Sequence, residues 1–252
     1  MLTTVGESTR PRWTTFWGAG VSPAAAGHPC QAAFYRVARC TGVAGAILPG
    51  MSRALALREH DDTPNADQII VFHDVTWEDY ERLLEIRGDK SAPRISYLEG
   101  ELEIMSPSRD HEQIKSFIGH LLETWCIDRG IEVTPFGSWT LKEKKDEAGA
   151  EADECYIFGT EPRERPQLAI EVEWTRRSID KLRIYEKLGV DEVWTWRKGA
   201  IEVRVRVGEK LERAQQSRLL PDLDLELLAS MIDRDTLTQA VRDFRRALEG
   251  GS

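Results

Sequence analysis

Hydrophobic and polar positions are patterned from about Gln68 onward, and the elements can be read from them. WEDYERLLEIR puts Trp77, Tyr80, Leu83 and Leu84 on one helical face. Thr76 stands at its N-cap with Asp79 at the capping-box position, and Gly88 and Pro93 end it. RISYLEGELEIMSP alternates about Glu99-Gly100 and predicts a β-hairpin stopped by Pro107. From His111 to Cys126, Ile114, Phe117, Ile118, Leu121, Leu122 and Trp125 recur at helical spacing, and Gly130 ends that helix. IEVTPFGSWTLK reads as one or two strands, and KEKKDEAGAEA as a polar loop. Two apolar strands follow, DECYIF and LAIEVEW. A helix is predicted from Asp180 to Leu188, a second hairpin turning at Lys198-Gly199, and a last helix from Thr236 to Leu248. Helices interleaved with hairpins and strands, without an internal repeat, indicate one α/β domain on a mixed sheet.

Residues 1–50 lack this order. They are rich in Ala, Gly, Thr and Pro, and four arginines face a single acid, Glu7. The expectation is a disordered or non-native extension over residues 1–67 and a folded domain over 68–250, with Met51 as an alternative start. The formal charge of −9 excludes a general polyanion binder working by bulk attraction. No apolar run approaches the roughly 20 residues a membrane helix needs. Cys30, Cys40, Cys126 and Cys155 form no CxxC pair, and neither they nor the histidines show zinc spacing. Buried free thiols are the expected state, in keeping with a cytoplasmic protein.

The candidate chemistry lies between Ala150 and Trp196. Strand alternation puts Glu171 and Glu173 on one face, and Leu168 is assigned to their side. Two carboxylates at the end of an apolar strand call for neutralisation, and a divalent cation with oxygen ligands would supply it. Asp153 opens the neighbouring strand and could complete the ligand set. Lys181, on the following helix, could stabilise charge developing on a phosphate. Each residue also has a plainer reading: exposed edge-strand acids, a turn aspartate, a helix salt bridge, and turn chemistry for Glu99 beside Gly100. Core packing is the expectation for Trp125, Trp174, Trp194 and Trp196. The Arg176-Arg177 pair fits either a phosphate contact or a solvated loop.

The ordered set ISYLEGELEIMSPSRDHEQI, EADECYIF, LAIEVEW, DKLRIYEKLGVDEVWTW and LPDLDLELL resembles the Uma2 family, a branch of the PD-(D/E)xK superfamily. The resemblance covers roughly residues 75–230. It implies a restriction-endonuclease-like mixed β-sheet core flanked by helices and an endonuclease cleaving phosphodiesters in DNA. By it, Asp153 and Glu171 are catalytic and hold Mg²⁺, or Mn²⁺ in its place, Glu173 and Glu99 assist at the metal, and Lys181 is the catalytic lysine. His111 matches a frequent family histidine. Two positions depart from the superfamily pattern: Ala152 stands where proline precedes the aspartate, and Glu173 stands where lysine is usual. Asp153→Ala and Lys181→Ala are each expected to abolish cleavage with the fold intact. Two rivals stay open: an inactive nuclease-fold module binding nucleic acid or protein, and a hydrolase of small phosphoesters. Nucleases of this fold often work as dimers, which makes the C-terminal helix a candidate homodimer interface.

Overall fold

The computed structural model describes residues 65–175 and 179–250, together with the backbone of Ala56–Arg58. The rest of the expected 1–67 extension and the Arg176-Arg177 pair lie outside the described residues. Strand β1 (Ala56–Arg58) pairs antiparallel with β2 (Gln68–Phe72), so sheet structure begins upstream of the expected start. Helix α1 (Trp77–Arg87) starts where the capping signal places it: the Thr76 hydroxyl accepts from the Asp79 amide and donates to its carboxylate. The first hairpin is β3 (Arg94–Leu98) and β4 (Glu101–Ser106). Its two-residue turn takes positive φ at both Glu99 (48°) and Gly100 (95°), the geometry that suits the right-handed twist of paired strands.

Helix α2 (Arg109–Asp128) is followed by β5 (Val133–Pro135), β6 (Thr140–Glu143), β7 (Ala148–Glu151) and β8 (Glu154–Phe158). Then come β9 (Leu168–Val172), α3 (Lys181–Leu188), β10 (Glu192–Arg197), β11 (Ala200–Val207) and β12 (Lys210–Ala214). The chain closes with α4 (Leu225–Ser230) and α5 (Leu237–Gly250).

The described strands make two sheets instead of the one expected. The first, β1-β2-β4-β3-β7-β6, is antiparallel throughout. The second, β12-β11-β10-β9-β8-β5, is mixed, with β9 and β10 parallel. Strand β7 corrects the expected polar loop, since all four of its residues are buried. Its small side chains leave room for the Tyr80 ring. A Cβ at Gly149 would collide with the Tyr80 hydroxyl and ring.

Helix α2 lays Ile118, Leu121, Leu122 and Trp125 against Leu168, Ile170 and Val172 of β9. Leu168 therefore sits opposite the glutamates. Parity along the strand puts even-numbered residues together, which corrects its assignment. Truncating a fully buried leucine here, such as Leu121, would cost about 2–5 kcal/mol. Helix α3 covers the other face of the second sheet through Ile184, Tyr185 and Leu188, which also meet Ala148 and Ala150 of β7. Helix α5 buries Ala240 and Phe244 in the α2 cluster, and Arg245 chelates Asp128 at 2.7 and 2.8 Å. The apolar face offered to a second copy is thus used within the chain. Trp125, Trp194 and Trp196 are buried as expected, and Trp174 stacks on Trp196. Cys126 and Cys155 are buried free thiols, and burial pushes the Cys155 thiol up to about 12. Among the described residues no helix is long and apolar enough to cross a membrane.

Candidate active site

Glu151 ends β7 in the first sheet and Glu154 opens β8 in the second, so Ala152-Asp153 is the link by which the chain changes sheets. The Asp153 amide donates to the Ile170 carbonyl at 3.1 Å, and the Val172 amide donates to Asp153 Oδ2 at 2.6 Å. Extending the Glu154↔Ile170 register by one step sets Asp153 opposite Glu171. Asp153 and Glu171 therefore stand at opposed backbone positions on neighbouring segments.

Asp153 has no exposed surface. Arg94, from β3, pairs with its Oδ1 and reaches Glu112 with its second nitrogen at 2.7 Å. His111 Nε2 lies 3.2 Å from Asp153 Oδ2, and His111 Nδ1 lies 3.1 Å from Asp67. The Ser108 N-cap of α2 holds His111 in place by accepting its amide. Asp67 takes the Ser108 amide at 2.7 Å and gives its own amide to Thr175 at 2.8 Å. Burial opposes charge on the imidazole, but the Asp153 charge and the hydrogen bonds to both aspartates outweigh it and raise the His111 pKa. Asp67 is likewise penalised by burial yet held below the usual carboxylate range by His111. His111 thus bridges two carboxylates, and Arg94 Nη1 also lies 3.0 Å from its Nε2.

Lys181 occupies the first position of α3, after an Asp180 N-cap whose carboxylate accepts the Arg183 amide at 3.1 Å. From there its ammonium lies 3.1 and 3.2 Å from the two Glu171 oxygens and donates to the Glu151 carbonyl at 3.0 Å. One turn on, the Tyr185 hydroxyl donates to Glu171 Oε1. Burial first, then the Glu171 charge, drives the Tyr185 pKa far above its ordinary value, so the hydroxyl stays protonated. Glu171, Lys181 and Tyr185 line a cavity of about 290 Å³ together with Glu173, Thr195 and Arg197.

Glu173 is half-buried beside Arg197 at 3.3 Å. Glu99 stands apart from the other acids. At the exposed hairpin tip it pairs with Arg183 (2.7 Å) and Lys187 (2.9 Å) on the outer side of α3, and it does not line the cavity. Its hairpin belongs to the first sheet, and this corrects its expected place in the metal set. Among the described residues no three His, Cys, Asp or Glu side chains converge as they stand to hold a metal ion.

The sequence reading missed Arg94, Asp67 and Glu151. Glu151 accepts from Thr140 at 2.6 Å and from the Ile95 amide at 3.1 Å, and it pairs with Arg87. For Arg94 and Glu151 the available signal was a single charge at the end of an otherwise uncharged strand, as in RISYL and AGAE.

A mixed sheet with opposed acids at a strand end, a lysine on the next helix, and helices on both faces defines an α/β domain of the restriction-endonuclease-like class. The chain belongs to the Uma2 family, whose model, described as "Putative restriction endonuclease", matches residues 77–236. That places it with the nucleases at the coarse level. No curated protein matches the chain.

Proposed function

We propose that this protein is a Mg²⁺-dependent endonuclease that hydrolyses phosphodiester bonds in DNA. The observation that carries the reading is Asp153 set opposite Glu171 with the Lys181 ammonium on both Glu171 oxygens. The donor chemistry suits Mg²⁺, which takes one or two carboxylates and completes its shell with water and substrate phosphate. Mn²⁺ accepts the same hard oxygens. Asp153 and Glu171 would hold the cation, with Glu173 at the cavity wall as an auxiliary; when bound, the cation would acidify a water and polarise a phosphoryl oxygen.

The chain's own residues prepare that chemistry. Tyr185 keeps its own proton and donates it in a hydrogen bond that fixes the Glu171 carboxylate. Lys181, bonded to both Glu171 oxygens and the Glu151 carbonyl, lines the cavity and places its positive charge where charge would develop on the phosphoryl group. Arg94 and His111 hold Asp153 in one rotamer. Arg197 and Arg204 on the cavity wall offer local phosphate contacts, which an acidic protein needs in place of bulk attraction.

A second reading is a nuclease-fold module that binds without cutting, favoured because Asp153 and Glu171 already hold protein cations. Incubating the purified chain with supercoiled plasmid and single-stranded DNA separates the two. Cleavage in Mg²⁺, its loss in EDTA, and a drop of at least ~100-fold in Lys181→Ala are expected. DNA binding without cleavage moves the chain to the module. Turnover of a chromogenic phosphodiester alone moves it to small substrates.

A further inference from the structure

We infer that Arg94 is a displaceable counter-cation: it competes with a divalent cation for Asp153, and Glu112 receives it on release. The inference rests on the reading of Asp153 as a metal ligand. Arg94 grips two carboxylates with two different nitrogens, Nη1 on Asp153 Oδ1 and Nη2 on Glu112 Oε1. The two partners differ in setting. The Asp153 side chain is fully buried, whereas that of Glu112, in the first turn of α2, is 41% exposed. Oδ2 of Asp153 is already taken by the Val172 amide and His111, so the guanidinium occupies the other oxygen.

A divalent cation arriving at Oδ1 meets a buried positive charge at contact distance, where repulsion is strong and water does little to screen it. The guanidinium can leave without losing every partner. Its Nη2 bond to Glu112 acts as a pivot, and Glu112 stands at the solvent edge, where Lys115 already contributes at 3.0 Å. Metal affinity is therefore set partly by the strength of the Arg94–Asp153 pair and partly by how well Glu112 holds the departing guanidinium.

The test is calorimetric titration of the full chain with MnCl₂ in the absence of DNA, for wild type, Arg94→Gln, Glu112→Gln, the double variant, Asp110→Asn and Asp153→Asn. Arg94→Gln is expected to tighten Mn²⁺ binding at least tenfold. Glu112→Gln is expected to weaken it at least threefold in wild type and to have no effect once Arg94 is gone. Asp110, on the same turn, bonds Asn65 instead, and its neutralisation should change affinity by less than a factor of 1.5. This control, with the double variant, distinguishes exchange from a general loss of charge, which would act additively. The proposal is overturned if wild type binds Mn²⁺ through Asp153 and folded Arg94→Gln binds no tighter. It is equally overturned if Glu112→Gln behaves like Asp110→Asn, a contrast that decides the matter even should Arg94→Gln fail to fold. Absence of binding in every variant, or binding unaffected by Asp153→Asn, removes the metal reading itself.

Discussion

The two opposed acids are neutralised in different ways. Asp153 is sealed: Arg94 lies 59 positions away, and His111 ties the site to Asp67 across another 44. Glu171 is served by its own neighbourhood, with Lys181 and Tyr185 only 10 and 14 residues downstream on one helical face. Its cluster also opens onto a cavity, while Asp153 is not among the residues that line it. One cluster therefore locks three segments of the fold together, and the other presents its charges to whatever enters. The difference separates structural weight from chemical exposure within a single pair of carboxylates.

The largest effect should come from Asp153→Ala. It strands Arg94, His111 and the Val172 amide at once, and breaking a buried pair costs about 3–5 kcal/mol. The expectation of an intact fold after this substitution therefore gives way, and Asp153→Asn is the better probe of activity. Lys181→Ala should cost less, about 1–2 kcal/mol, because Glu171 keeps the Tyr185 hydroxyl and the cavity admits water. Urea unfolding of both variants checks the order, and equal losses would erase the contrast.

Tyr185→Phe removes one hydrogen bond to a carboxylate and leaves the ring packed. About 1 kcal/mol is expected, with a larger fractional loss of cleavage than of stability. Glu99→Gln should be smallest, below about 1 kcal/mol, with cleavage unchanged. The Lys187 hydrogen bond and charge, with help from Arg183, hold the Glu99 carboxyl below its ordinary 4.5. A depressed carboxyl stabilises above the unfolded value and loses that contribution as pH falls through the folded one. Wild type and Glu99→Gln should thus converge in stability in acid, and a constant difference across pH would show that Glu99 matters by other means.

What the sequence disclosed follows the same division. Caps, hairpin turns and helical spacing are local signals, so α1, α2 and both hairpins stand where the pattern puts them. Glu171 and Lys181 were legible for the same reason, as one strand and the first turn of the next helix. Sheet membership is not a local property. The first hairpin joins a separate sheet, which takes Glu99 away from the acids and brings Arg94 to them. Strand β7 was hidden because charges flank a core of small residues whose burial depends on Tyr80, nearly 70 positions earlier.

The Val172 amide has a further use. It is a main-chain proton bonded to the Asp153 carboxylate at 2.6 Å, on a fully buried residue of the central strand. Its deuterium exchange should follow global opening of the domain, placing it among the slowest amides. Its nitrogen and proton resonances should also move whenever the charge partner on that carboxylate changes. One backbone peak would then report both how firmly the two sheets are joined and which cation occupies their junction.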